Sequence, residues 1–143
     1  MSSETAHLNE LIEITRDGEQ FYRHAAQEVG EPSLRNLFGE LARAKQQLVE
    51  ALALAAAAQD EEPARGGTLL GALQRLYVDT RARFSRNEDA IYVAQLADAE
   101  DRILRAFAEA RAEATPQLQQ LLDRELPQIR ACHARMQELK SSL

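Results

Sequence analysis

Glu19 lies seven residues after Ile12 and seven before Ala26, so on a helix its carboxylate falls on the same side as those apolar residues. Glu100 repeats the arrangement, seven after Val93 and seven before Phe107, with Leu96, Ile103 and Leu104 beside it. Lys45 follows Leu41 by four and precedes Leu48 by three. Glu125 stands seven from both Leu118 and Cys132, and His133 borders the stripe of Ile129 and Met136. A carboxylate buried alone costs several kcal/mol, so each inward acid requires a cation, a metal or a proton. Two chemistries are open to such a set: internal charge pairing, or metal ligation by carboxylates and an imidazole.

The elements that must carry these residues are helices. The 143 residues are rich in Ala, Leu, Glu, Arg and Gln and poor in Gly, Pro and β-branched types, which predicts an all-α chain of one domain spanning 1–143. A first helix is expected from Thr5 to Val29, closed by Gly30 and Pro32. A second runs from Pro32-Ser33 to Gln59, antiparallel to the first because the connection is short. The stretch Asp60 to Gly67 reads as a surface linker, and Thr68 to Phe84 as a shorter helix with Leu69, Leu70, Leu73, Leu76 and Tyr77 on its apolar side. After a break at Ser85 to Asn87, a third long helix extends to Ala114, and Thr115-Pro116 opens a fourth that ends near Lys140 and should kink at Pro127. A crossover over about 60–87 is long enough to return the chain to its starting end and leave helices 2 and 3 parallel.

Reflecting each hairpin about its turn brings Glu19 to the height of Lys45, and Glu100 to the height of Ile129 to His133. The expected result is an internal polar network of Glu19, Tyr22, Lys45, Glu100, Glu125, Arg130 and His133, with the Tyr22 hydroxyl bonded to Glu19. A helix phase one residue different would turn Glu19 and Glu100 outward, and Lys45 could instead carry its ammonium to water. His7 and His24 read as surface residues, Cys132 as a small core hydrophobe, and Tyr77 and Tyr92 as packing.

With 17 Lys plus Arg against 23 Asp plus Glu, the net charge of −6 opposes binding to nucleic acid or to an anionic membrane. The single cysteine permits no disulfide within one chain, which suits a reducing cytoplasm. The longest apolar run, Ala51 to Ala58, is far shorter than a membrane span of about 20 residues. There is no Gly-rich phosphate loop, nucleophile elbow or paired-cysteine metal motif.

Inward glutamates on helices 1 and 3, a long crossover and a histidine on helix 4 resemble the ferritin-like superfamily. More narrowly, Leu8 to Ile12 with Asp17-Gly18-Glu19, Leu34 to Phe38, Ala99-Glu100-Asp101 and His133 resemble a bacterial family of small ferritin-like four-helix bundles of unassigned function. The resemblance implies a di-iron site built from one Glu on each of two helices and a Glu-x-x-His on each of the other two. Glu19 and Glu100 match the single glutamates, but the paired motifs fall on Lys45-x-x-Leu48 and Arg130-x-x-His133, with a cation in place of each bridging acid.

The resemblance thus implies a degenerate site held by a Glu/Lys/Arg network in a non-catalytic module with no cofactor, acting through binding or oligomerisation. The alternative is an iron-binding oxidase or ferroxidase using a partial site of Glu19, Glu100 and His133. Exposed apolar residues on the crossover helix offer a surface for a homodimer or another protein partner.

Overall fold

The structure is a computed structural model that describes residues 3–58 and 88–142. Four helices account for nearly all of them, with no strand among the described residues: α1 Ser3–Glu28, α2 Pro32–Ala57, α3 Glu88–Ala112 and α4 Pro116–Ser141. The linker at Asp60 to Gly67, the short helix expected over Thr68 to Phe84 and the packing role of Tyr77 lie outside the described residues.

Local chemistry explains the turns. Pro32 and Pro116 each occupy the first turn of a helix, where a missing N–H costs nothing. Thr115 caps α4 by accepting from the Leu118 N–H at 3.3 Å, and the Glu31 side chain accepts from Ser33 N–H ahead of α2. Arg35 donates back to the Val29 carbonyl at 2.7 Å, which ties the first residues of α2 to the end of α1. Pro127 stands exposed inside α4, which runs through it as one helix; Leu122, Leu126, Ile129 and Met136 keep helical spacing on the buried side.

Pairing of the ends sets the topology. Asp89, at the start of α3, accepts from Gly30 N–H at 2.9 Å and Glu31 N–H at 3.1 Å, at the end of α1. At the other end of the bundle His7 of α1 lies 3.3 Å from Glu113, just beyond α3. α1 and α3 are therefore antiparallel, and α2, antiparallel to α1, runs parallel to α3. Close backbone packing joins α1 to α2, α1 to α3 and α3 to α4. No described helix is long and apolar enough to cross a membrane.

The apolar interior forms two clusters. One, around Phe21, Phe38, Tyr92, Leu96 and Met136, lies toward the α1–α2 turn. The other, around Leu8, Ile12, Leu52, Phe107 and Leu122, lies toward the opposite end. Between them, at mid-height, sit the buried polar side chains of Lys45 and Glu100.

Candidate functional site

Lys45 is 1 % exposed and Glu100 fully buried. Each is flanked on its helix by apolar neighbours one turn away, Leu41 and Leu48 for Lys45, Leu96 and Ile103 for Glu100, so burial of those neighbours carries the charged residue inward. The Lys45 Nζ lies 2.8 Å from Glu100 Oε1 and donates to Oε2 at 3.1 Å. Tyr22, also fully buried, donates its hydroxyl to Glu100 Oε1 at 2.9 Å. Three elements thus close on one carboxylate, and its charge is matched by an ammonium and a neutral donor, as a buried ion pair requires.

Burial and the adjacent Glu100 carboxylate push the Tyr22 phenol well above its ordinary range. Burial likewise pushes the Cys132 thiol up, with Lys45 acting in the opposite direction. Cys132 is buried in the core as expected, in the apolar cluster toward the α1–α2 turn.

The remaining expected members are elsewhere. Glu19 is not on the inward stripe: its side chain is 16 % exposed and pairs with Arg23 at 2.8 Å, while Arg23 also donates to Gln46 at 2.9 Å. The buried stripe of α1 includes Leu8, Leu11, Ile12, Thr15, Gly18, Phe21, Tyr22 and Ala25, so it passes through Gly18 and leaves Glu19 at its border. Gly18 and Thr15 are inconspicuous in the sequence because neither is large and apolar. A Cβ on Gly18 would lie 2.8 Å from Ile103 Cδ1, so α3 packs closely on α1 here and the end of the Ile103 side chain would have to turn to admit one. Thr15 is satisfied within its helix, donating to the Leu11 carbonyl at 2.6 Å. The Tyr22 hydroxyl accordingly meets Glu100 rather than Glu19.

On α4, Leu126 takes the inward place expected of Glu125, which is half-buried at the edge of a surface groove. Arg130 is exposed and takes no part in the buried cluster. His133, 24 % exposed, faces Asp101 rather than Glu100, with its Nε2 2.8 Å from Asp101 Oδ1. Hydrogen bonding from His133, helped by Arg105, holds the Asp101 carboxyl below the usual aspartate range. His24 and His7 are half-buried rather than fully at the surface: His24 lies 3.5 Å from the Tyr92 hydroxyl, and His7 reaches Glu113.

Glu19, Glu100 and His133 therefore do not converge as a ligand set. Each faces a different partner, and among the described residues no group of three or more His, Cys, Asp or Glu side chains is placed to hold a metal ion. The described residues do not fit a ferritin-like di-iron centre: the one fully buried acid among them, Glu100, is closed by Lys45 and Tyr22. Two cavities among the described residues, about 640 Å³ between α2 and α4 and about 630 Å³ beside His133 and Ser142, are surface features lined by neither Lys45 nor Glu100.

Sequence reasoning missed the pairing of Asp101 with His133 and the bonds from the α1–α2 turn to Asp89. An acid in the first turn of α3 was the available signal for Asp89; nothing local marks Asp101 as the histidine's partner.

No curated protein and no solved structure matches the chain. Residues 3–113 match the family described as Domain of unknown function (DUF2383). That span carries Tyr22, Lys45 and Glu100 together and stops before α4 and His133. It takes in most of the chain, and the protein belongs to this family.

Proposed function

We propose that the protein is a non-catalytic ferritin-like module in which a closed Tyr22–Glu100–Lys45 triad stands where relatives of that architecture would hold iron, and that it acts through its surface or its oligomeric state. The observation that carries this reading is the Lys45 ammonium bonded to both oxygens of Glu100. A carboxylate so engaged already accepts on both oxygens, and a cation brought beside it would meet the lysine's charge. Parallel α2 and α3 joined by a long connection support the ferritin-like part of the reading.

The test is metal analysis of the purified protein before and after exposure to ferrous iron and oxygen. The expected result is far less than one iron per chain, with ferrous oxidation no faster than in buffer. Stoichiometric iron, or oxidation abolished by Glu100→Ala in a protein that still folds, overturns the reading in favour of an oxidase.

A further inference from the structure

His133 differs from the other two histidines of the chain in how its ring nitrogens are disposed. Its Nε2 lies 2.8 Å from Asp101 Oδ1. An ionised carboxylate only accepts, so the ring proton sits on Nε2 and, in the neutral imidazole, the lone pair is left on Nδ1. Nδ1 has no protein partner among the described residues and is not shut off from water. His7 is the reverse, with Nδ1 buried and unpartnered and Nε2 3.3 Å from Glu113. His24 sets its Nε2 against the Tyr92 hydroxyl rather than a carboxylate.

The dyad is braced and accessible. Arg105 donates to the other oxygen of Asp101, Oδ2, at 2.9 Å, which holds the carboxylate in place and leaves Oδ1 to the imidazole. His133 is 24 % exposed and borders the hollow of about 630 Å³ on α4, together with Gln137, Glu138 and Ser142. The acid on that wall, Glu138, lies 3.8 Å from Arg135. Arg130, exposed and three residues before His133 on the same helix, is its surface neighbour. The guanidinium groups of Arg105 and Arg130 draw an anionic reagent to the imidazole and oppose a metal ion there.

We propose that His133 Nδ1 is a phosphoryl acceptor, taking its group from a small acyl phosphate while Asp101 holds the ring for attack. The Nδ1 lone pair forms a bond to phosphorus as the bond from phosphorus to the donor's acyl oxygen breaks, and the donor's carboxylate leaves with that electron pair. No proton leaves the ring: the product is a phosphoimidazolium with its proton still on Nε2. The positive charge that develops on the ring faces Asp101 at 2.8 Å, so the dyad stabilises the product and the transition state that leads to it. His133 is the nucleophile and Asp101 a positioning residue. The phosphoryl group adds close to two negative charges on the outside of the bundle, a mark of the kind a partner reads on a module that acts through its surface.

The test incubates the full chain with acetyl phosphate and follows intact mass and phosphorus NMR. The expected product carries one phosphoryl group per chain, labile in acid and stable in alkali, located at His133 by fragmentation and at Nδ1 by its phosphorus shift. His133→Gln should abolish it, while His7→Gln and His24→Gln leave it unchanged. Asp101→Ala should slow the reaction at least about tenfold and spread the phosphoryl group over both ring nitrogens, a change of isomer that lost stability alone does not produce. Circular dichroism checks that each variant keeps its helices.

A chain that gains only acetyl groups overturns the proposal. So does phosphoryl transfer to all three histidines alike, attachment at Nε2 in the wild type, or a rate and isomer indifferent to Asp101→Ala. Neither the acceptor nor its test involves the buried Glu100 carboxylate, so the outcome is independent of iron loading.

Discussion

Lys45 and Glu100 are 55 residues apart in the chain and meet at mid-height, 2.8 Å from ammonium to carboxylate, between two apolar clusters. They belong to α2 and α3, which are not among the closely packed helix pairs, so the contact reaches across the bundle.

Removing one partner leaves the other charge buried alone. Lys45→Met should therefore destabilise the protein by about 3–5 kcal/mol, whereas Lys45→Met with Glu100→Leu should recover most of that loss or exceed the wild type. Urea denaturation followed by circular dichroism measures both. A double variant as unstable as the single one would show that the pair is not the cause.

Tyr22→Phe deletes one of the donors to Glu100 and should cost about 1.5–3 kcal/mol, the range for a hydrogen bond to a charged group. Because the folded pKa of Tyr22 is raised, its contribution is whole below the ordinary tyrosine value of about 10 and is lost as pH rises through the higher folded value. Phenolate absorbance in an alkaline titration should show a late-ionising phase in the folded wild type that loses the amplitude of one tyrosine in Tyr22→Phe.

Gly18→Ala sets two small effects against each other. Alanine favours the helix by about 1 kcal/mol, and turning Ile103 off its rotamer to clear the new Cβ costs about as much, so stability should change little. In an Ile103→Val background, which lacks the clashing Cδ1, the same substitution should stabilise by about 1 kcal/mol. The measurement is a double-mutant cycle of denaturation free energies, and additivity within error would refute the contact.

Asp101 is held below the usual aspartate range mainly by His133, so its contribution is present above the ordinary value of about 3.9 and disappears as pH falls through the lowered one. Asp101→Asn should flatten the acid limb of the stability profile below about pH 4. Denaturation midpoints collected through the acid range for both proteins test this.

The fold was legible because its punctuation is chemical. Pro32, Thr115 and Pro116 mark the helix starts that the structure shows, and the parallel course of α2 and α3 follows from the length of the connection. Lys45 and Glu100 were legible for a different reason: large apolar residues flank each on both sides, which fixes the phase locally. Glu19 was misplaced because Leu11 and Ile12 are both buried and either could set the count: seven on from Ile12 is Glu19, seven on from Leu11 is Gly18, and it is Gly18 that takes the buried place. At Glu125 the neighbouring Leu126 competes for the inward place and wins on hydrophobicity. Which cation meets which acid depends on how α3 is rotated against three other helices, and no spacing within one helix encodes that.

Glu100 and Asp101 are consecutive, so their side chains leave α3 about 100° apart around its axis. One is fixed to Lys45 and Tyr22, the other to His133 on α4. α3 is thereby keyed against twisting: any turn about its own axis that relieves one attachment strains the other, and the helix can leave its seat only by releasing both.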